Sequence, residues 1–229
     1  MSETFDRVEK KYLLDKSQYE DILSKIQEFV EPDKFFDADI RSIYYDNDSF
    51  QMIRRSIEKP DYKEKIRIRS YGEPLDDDMV FVEFKKKLNG VVYKRRTKAK
   101  YSDLLDNIKN AEFKDEQIGN EIKYAIDYYG GVKPAIYIGC NRTSYSGKDN
   151  KRLRITFDKD LRYRMKHLAL KSDVSDQVLS DKIIMEIKAE KAMPLWLTKI
   201  LDEAKAYPRG FSKVGTAFEK QVKEMNNHE

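Results

Sequence analysis

Between Lys65 and Arg96 charged and apolar residues change places at every second position. Side chains alternate across a strand with period two, so Lys65, Arg67 and Arg69 share one face while Ile66 and Ile68 share the other. Glu83 and Lys85 alternate with Val82 and Phe84 in the same way, Asn89-Gly90 supplies a hairpin signal, and Lys94 and Arg96 sit two apart on the returning strand. The pattern predicts three neighbouring strands with cations on one face. The spacing recurs at Arg7, Glu9 and Lys11, at Arg152 and Arg154, and at Glu186 and Lys188. An ordinary half-exposed strand also alternates, but it mixes signs, because like charges directly opposite each other repel. Repeated basic positions on several strands therefore call for an anion among them.

The remaining elements follow in chain order. Residues 5–14 alternate as a strand, and Asp15 to Ser17 cap a helix carrying Tyr19, Ile22, Leu23, Ile26 and Phe29 at three- and four-residue spacings, with Pro32 beyond its end. Residues 40–45 make the next strand, Asp46-Asn47-Asp48 breaks it, and residues 49–56 read as a short helix before the Pro60-Asp61 turn. Beyond the hairpin, Ser102 and Asp103 open one helix and Asp115 another, which Gly130-Gly131 ends. Strand character returns in AIYIGCNRTSYS, RLRITFD and LRYRM, then at residues 182–189. Pro194 starts an amphipathic helix, and a closing helix spans residues 214–225. The expectation is an α+β, barrel-like architecture of about eight antiparallel strands with helices packed outside, apolar outward and ionic inward, forming one domain over residues 1–229.

Composition narrows the chemistry. The 229 residues carry a formal charge of only +4, so any preference for anions comes from local placement of Lys and Arg. The single cysteine, Cys140, forbids an internal disulfide. The N-terminal text lacks a signal-type segment and no apolar run approaches the roughly 18 residues that span a bilayer, so a soluble cytoplasmic protein is expected. Nine glycines form neither a phosphate-cradling loop nor a dinucleotide fingerprint, which leaves anion binding to side chains. His167 and His228, with Cys140, make no usual zinc set and read as packing or surface residues. Any metal should be a hard cation such as Mg²⁺ or Mn²⁺, held by one or two acids plus substrate oxygens.

Nine motifs carry a resemblance: R-V-E-K-K-Y at 7–12, S-I-Y-Y-D at 42–46, I-R-I-R-S-Y-G at 66–72, V-E-F-K at 82–85, Y-K-R-R at 93–96, N-R-T-S-Y at 141–145, R-L-R-I-T-F-D at 152–158, M-E-I-K at 185–188 and G-F-S-K at 210–213. In this order they resemble the VTC domain, the polyphosphate polymerase domain of the vacuolar transporter chaperone family and a branch of the triphosphate tunnel metalloenzymes. The resemblance implies a closed antiparallel β-barrel tunnel whose basic interior binds ATP and polyphosphate with a divalent metal, usually manganese. It places Lys11, Arg67, Arg69, Lys94, Arg142 and Arg154 in catalysis. Arg7, Lys85, Arg96, Arg152, Lys188, Ser212 and Lys213 fall to phosphate binding, and Glu186 with Glu9 to the metal. Arg7 stands where the wider group has the first acid of Glu-x-Glu-x-Lys, which removes one potential ligand and adds a cation. Glu83 lies in the same motifs, as a metal ligand or as a charge balancing the cations.

The implied reaction is transfer of the ATP γ-phosphate onto a polyphosphate chain. Hydrolysis of tripolyphosphate or nucleoside triphosphates and non-catalytic polyanion binding are the alternatives. Nucleic acid is not expected, because a closed tunnel excludes a duplex and the net charge is modest. Ser212 also reads as a helix N-cap ahead of Gly215, and Arg142 and Arg154 as ion-pair partners of Glu83 and Glu186.

Overall fold

Period-two alternation sets the sheet, and the helices fall where apolar residues recur at three- and four-residue spacings. The computed structural model describes residues 7–58, 60–89, 91–172, 175–190 and 192–227. Gly90 of the predicted hairpin and His228 lie outside the described residues. The strands are β1 (Arg7–Leu14), β2 (Val30–Asp46), β3 (Tyr62–Tyr71), β4 (Met79–Leu88), β5 (Val91–Lys100), β6 (Lys133–Gly147), β7 (Arg154–Arg164), β8 (Gln177–Ser180) and β9 (Ile183–Glu190). The helices are α1 (Lys16–Ile26), α2 (Gln51–Glu58), α3 (Tyr101–Asn107), α4 (Glu116–Tyr128), α5 (Leu195–Glu203) and α6 (Lys213–Asn226). No helix among the described residues is long and apolar enough to cross a membrane.

The sheet is antiparallel but open. Its order is β1-β9-β7-β6-β2-β3-β4-β5, with β8 beside β7, and among the described residues no ladder joins β1 to β5. The closed barrel expected from the sequence is thus corrected to an open nine-stranded sheet with helices. Alternation fixes the face each side chain takes, whereas closure depends on strand tilt and stagger, which that pattern does not encode. The terminal strand shows the result: Val91–Arg96 of β5 are all exposed.

The chain divides into two compact units. The first comprises Met1–Asp39, Cys140–Leu161 and Ser180–Phe211. Its core sets Tyr12 and Leu14 of β1, Ile155 and Phe157 of β7, and Met185 and Ile187 of β9 against Ile22 and Ile26 of α1 and Leu197 and Leu201 of α5. The second comprises Ile40–Gly139, Arg162–Leu179 and Ser212–Glu229. There Ile43, Tyr45, Ile66, Ile68, Val82 and Phe84 pack under Leu104 of α3 and Ile122 and Ile126 of α4. Each such side chain contributes about 1.5–3 kcal/mol on burial. In each unit the alternate residues of these strands are therefore left to form the polar face.

Three boundaries differ from expectation. α1 stops at Ile26, and the chain enters β2 at Val30, so Phe29 stacks on Trp196 at 4.3 Å instead of continuing the helix. Pro32 lies inside β2, along a stretch of mostly exposed residues where a missing strand donor costs little. LRYR of the LRYRM segment is the end of β7 and not a separate strand, with Asp160 at φ 50 marking the irregularity that hides the continuity.

Candidate functional site

In the second unit the strand register stacks charged residues into rows. Tyr44 of β2 lies opposite Arg67 of β3, Arg67 opposite Glu83 of β4, and Glu83 opposite Arg96 of β5. The adjoining row is Lys65, Lys85 and Lys94, three lysines facing one another across three strands. Arg69 lies opposite Ser42 and donates to its hydroxyl at 3.3 Å.

Glu83 is the centre of this cluster. It is only 2% exposed and sits between strands that each bring a cation. Arg67 holds one carboxylate oxygen through Nε at 2.7 Å and Nη2 at 2.5 Å, and Arg69 stands 4.0 Å from it. Lys94 reaches the other oxygen at 3.3 Å, where Arg96 also donates. Burial alone would raise the Glu83 pKa, but Arg67, Arg69 and Lys94 hold its carboxyl well below the usual carboxylate range. One ionised acid thus faces four cations, with Lys65 and Lys85 beside them. Glu83 is a charge-balancing residue here. For Lys94, burial is the main influence and makes its ammonium easier to lose.

Ser212 satisfies both sequence readings at once. Its hydroxyl caps α6 by accepting from the Gly215 N–H at 3.3 Å, and it accepts from Lys65 Nζ at 3.1 Å. Lys213 opens the same helix. A helix N-terminus carries partial positive charge, which adds to the cationic character of this face.

The first unit has a different balance. Lys11 of β1 lies opposite Glu186 of β9, and Glu186 opposite Thr156 of β7; in the next row Glu9 lies opposite Lys188, and Lys188 opposite Arg154. Arg7 pairs in register with Glu190, and its side chain lies outside the described residues. Glu186 has Lys188 at 2.6 Å and Lys11 at 3.8 Å. Burial raises its pKa, yet Lys188, Lys11 and Arg142 outweigh that and bring it down to about 2. The group is therefore ionised at neutral pH. Glu9 is exposed.

The arginines of this unit take partners that the sequence reading did not name. Arg142 forks onto Asp158, Nε at 2.5 Å and Nη2 at 2.7 Å, and not onto Glu83 or Glu186. Arg154 stands 3.0 Å from Asp33, close enough to attract but not aligned for a hydrogen bond, so its Nε keeps no hydrogen-bond partner. Arg152 lies outside the strands, half exposed on Glu190. Here acids and cations are matched, whereas on the β3–β5 face of the second unit cations outnumber the one buried acid.

Four residues of these faces were given no role by the sequence reading: Ser42 and Tyr44 on β2 and Asp158, although all three lie in the quoted motifs, and Asp33. Period two in S-I-Y-Y-D places Ser42 and Tyr44 on one face, and Asp158 follows Arg154 at even spacing, so both signals were present. Asp33 had none, since its strand was not anticipated. Asp158→Ala should destabilise the protein by about 3 kcal/mol in urea unfolding, because it leaves the mostly buried Arg142 guanidinium without its carboxylate. Unfolding at wild-type urea concentrations would show that water replaces the pair.

Comparison with known proteins supplies the family. The sequence model of the VTC domain matches residues 6–221. Subunit 4 of the vacuolar transporter chaperone complex of Trypanosoma brucei brucei is 30% identical over 154 residues, 54% of this chain and 19% of that protein. The same subunit from Schizosaccharomyces pombe is 28% identical over 158 residues, 57% of this chain and 22% of that protein. The chain thus spans about a fifth of the length of these curated relatives. Among solved structures, a Bacillus halodurans protein provisionally assigned as an adenylate cyclase superposes with a TM-score of 0.55 at 14% identity, covering 90% of this chain and 93% of that one, a likeness of fold alone. With its family match extending from the first strand into the last helix, the chain belongs to the VTC domain family.

Proposed function

We propose that the protein is a metal-dependent phosphotransferase that moves the γ-phosphate of ATP onto the end of a polyphosphate chain. The observation that carries this reading is the second unit's cation face: a row of three lysines beside a row in which a single buried carboxylate serves four cations. Like charges in register destabilise a sheet unless an anion lies over them. A phosphate chain supplies a negative charge at each unit. Family membership supports the same class of ligand.

Phosphoryl transfer rests on positioning and charge neutralisation. In the proposed reaction a terminal polyphosphate oxygen forms a bond to the γ-phosphorus as the bond to the ADP oxygen breaks, and ADP leaves with the electron pair. Lys65, Arg67, Arg69, Lys85, Lys94 and Arg96 bind and orient phosphate oxygens on the second unit, with Ser212 and Lys213 at its helix end. Lys11, Lys188, Arg142 and Arg154 do so on the first. Among the described residues no three His, Cys, Asp or Glu side chains converge as a metal cage. Mn²⁺ or Mg²⁺ fits the ionised Glu186, with Glu9 one row away, provided that phosphate oxygens complete the ligand set. The ion would supply further neutralisation of charge on the transferred group.

Openness of the sheet removes one argument made from the sequence, that a closed tunnel excludes a duplex; the modest net charge still argues against nucleic acid. The test is product analysis. Protein incubated with ATP, Mn²⁺ and a short polyphosphate primer is expected to release ADP and lengthen the primer on a gel. ADP matched by free phosphate, with no growth at any primer length, would replace transfer with hydrolysis. No turnover at all, with tripolyphosphate still bound, would leave a polyanion-binding module.

A further inference from the structure

Tyr44 lies inside the S-I-Y-Y-D motif, yet neither the motif nor the proposed reaction gives it a role. It is 8% exposed and lies on the polar face of β2, directly opposite Arg67. Arg67 Nη1 donates to its phenol oxygen at 2.8 Å, while the same guanidinium holds Glu83 through Nε. The phenol therefore has its oxygen satisfied by a cation. Its own proton has no acceptor among the described residues, and a buried O–H ordinarily finds one. An acceptor brought by a ligand would complete the arrangement, and the groups around the phenol select an anionic one.

We propose that Tyr44 is a direct ligand of the bound phosphate chain, donating its O–H to a phosphoryl oxygen held by Lys65, Arg67 and Arg69. This deepens the reading of the second unit as a polyphosphate-binding face and rests on it. The phenol serves there as a neutral donor, adding a contact without adding to the repulsion among the cations. Ser42, one pair along β2, already serves Arg69 in a comparable way.

The electrostatics give the contact a pH dependence. Burial opposes ionisation of Tyr44, but Arg67, Lys65 and Arg69 on β3 overcome it and bring the phenol down to about 8. Glu83 of β4 reaches Tyr44 only through Arg67, and Asp46, on the same face of β2, is taken up by the N–H groups of Met52 and Ile53. Phenolate formation above that range removes the donor and places a negative charge beside the anion. Binding is thus fully present below about pH 8 and weakens as pH rises through it, by up to about tenfold per pH unit. Two other groups of this unit titrate on the alkaline side: Lys94, lowered chiefly by burial, and Tyr71, lowered by Arg69 and Arg96 against the effect of burial. A comparison of variants separates them.

Tyr44→Phe removes one oxygen and keeps the ring in place. Full-length wild type, Tyr44→Phe and Lys94→Arg are titrated calorimetrically with tripolyphosphate at about pH 7 and pH 9, and tyrosinate absorbance is followed with and without the ligand. At pH 7 the Phe variant is expected to bind about ten- to a hundredfold more weakly, the range of one lost hydrogen bond to a charged group. Its remaining loss of affinity toward pH 9 should be shallower than that of wild type, while Lys94→Arg keeps the wild-type slope. The difference absorbance, wild type minus Tyr44→Phe, should show one tyrosine titrating near pH 8, moved upward by tripolyphosphate. A folded Tyr44→Phe protein with wild-type affinity and slope would overturn the assignment while leaving the cation face intact as a binding site. Wild-type protein that fails to bind tripolyphosphate would overturn the underlying reading and this one with it.

Discussion

Glu83→Gln is expected to be among the most destabilising single substitutions in the second unit, by about 3 kcal/mol in chemical unfolding, with tripolyphosphate recovering most of the loss. Glu83 is almost fully buried, and Arg67, Arg69, Lys94 and Arg96 all turn to it. Glutamine keeps the shape and one acceptor but removes the charge, so four cations face one another without compensation. A polyanion restores what was removed. Any ligand that binds only the folded state at about 100 times its Kd adds about 2.7 kcal/mol, and the variant should bind tripolyphosphate more tightly than wild type because Glu83 no longer competes for the same cations. The pH dependence has a definite sign. The Glu83 pKa is lowered in the folded protein, so its contribution is present above the ordinary carboxylate range and is lost as pH falls toward the folded value. Stability of the variant should accordingly fall less steeply on the acid side. A variant as stable as wild type, with no greater stabilisation by tripolyphosphate, would mean that the surplus charge is already dissipated into solvent.

That cluster was largely legible in the sequence. Period two in KIRIR and VEFK, together with one hairpin signal, placed Arg67, Glu83 and Arg96 on one face, and two-residue alternation leaves no other choice once the apolar set is buried. Lys65, Lys85 and Lys94 followed from the same register. Pairing between particular side chains was harder to read. Arg142 was matched by charge to Glu83 and Glu186, but Asp158 lies within fork reach and takes its Nε and Nη2 donors. Glu186 and Lys188 were read at a two-residue spacing and do meet along the strand, whereas the Lys11 contact is a cross-strand pair that the sequence did not register. Local spacing thus predicts contacts made within a strand or across a known register. Asp33 on Arg154 depended on a strand that Pro32 disguised. Closure of the sheet depended on no residue pattern at all. Tyr44 was overlooked for another reason: tyrosine in a strand reads as core, and only the cross-strand Arg67 shows that its polar end is committed to the charged face.

Glu186→Gln should reduce divalent-ion-dependent turnover of ATP at least about a hundredfold while leaving tripolyphosphate binding close to wild type. Glu186 is the carboxylate of the first unit whose ionisation the surroundings secure most directly, with Lys188, Lys11 and Arg142 around it. Those cations are not lost in the variant, so phosphate oxygens keep their partners. Destabilisation should be smaller than for Glu83→Gln, because Lys11 and Lys188 are each about a third exposed and are rehydrated when the carboxylate charge goes. Binding and chemistry are therefore separable at this position. Mn²⁺ titrated into protein holding tripolyphosphate, followed by electron paramagnetic resonance, reads the ion without turnover: the bound signal should weaken in Glu186→Gln and remain in Arg152→Ala, whose side chain stands in solvent on Glu190. Glu9→Gln distinguishes a shared site from a single ligand, since a loss of Mn²⁺ there comparable to that in Glu186→Gln requires both acids at the ion. Turnover and Mn²⁺ affinity unchanged in a folded Glu186→Gln protein would remove the metal from this carboxylate and leave Glu186, like Glu83, as a counter-charge for the cations around it.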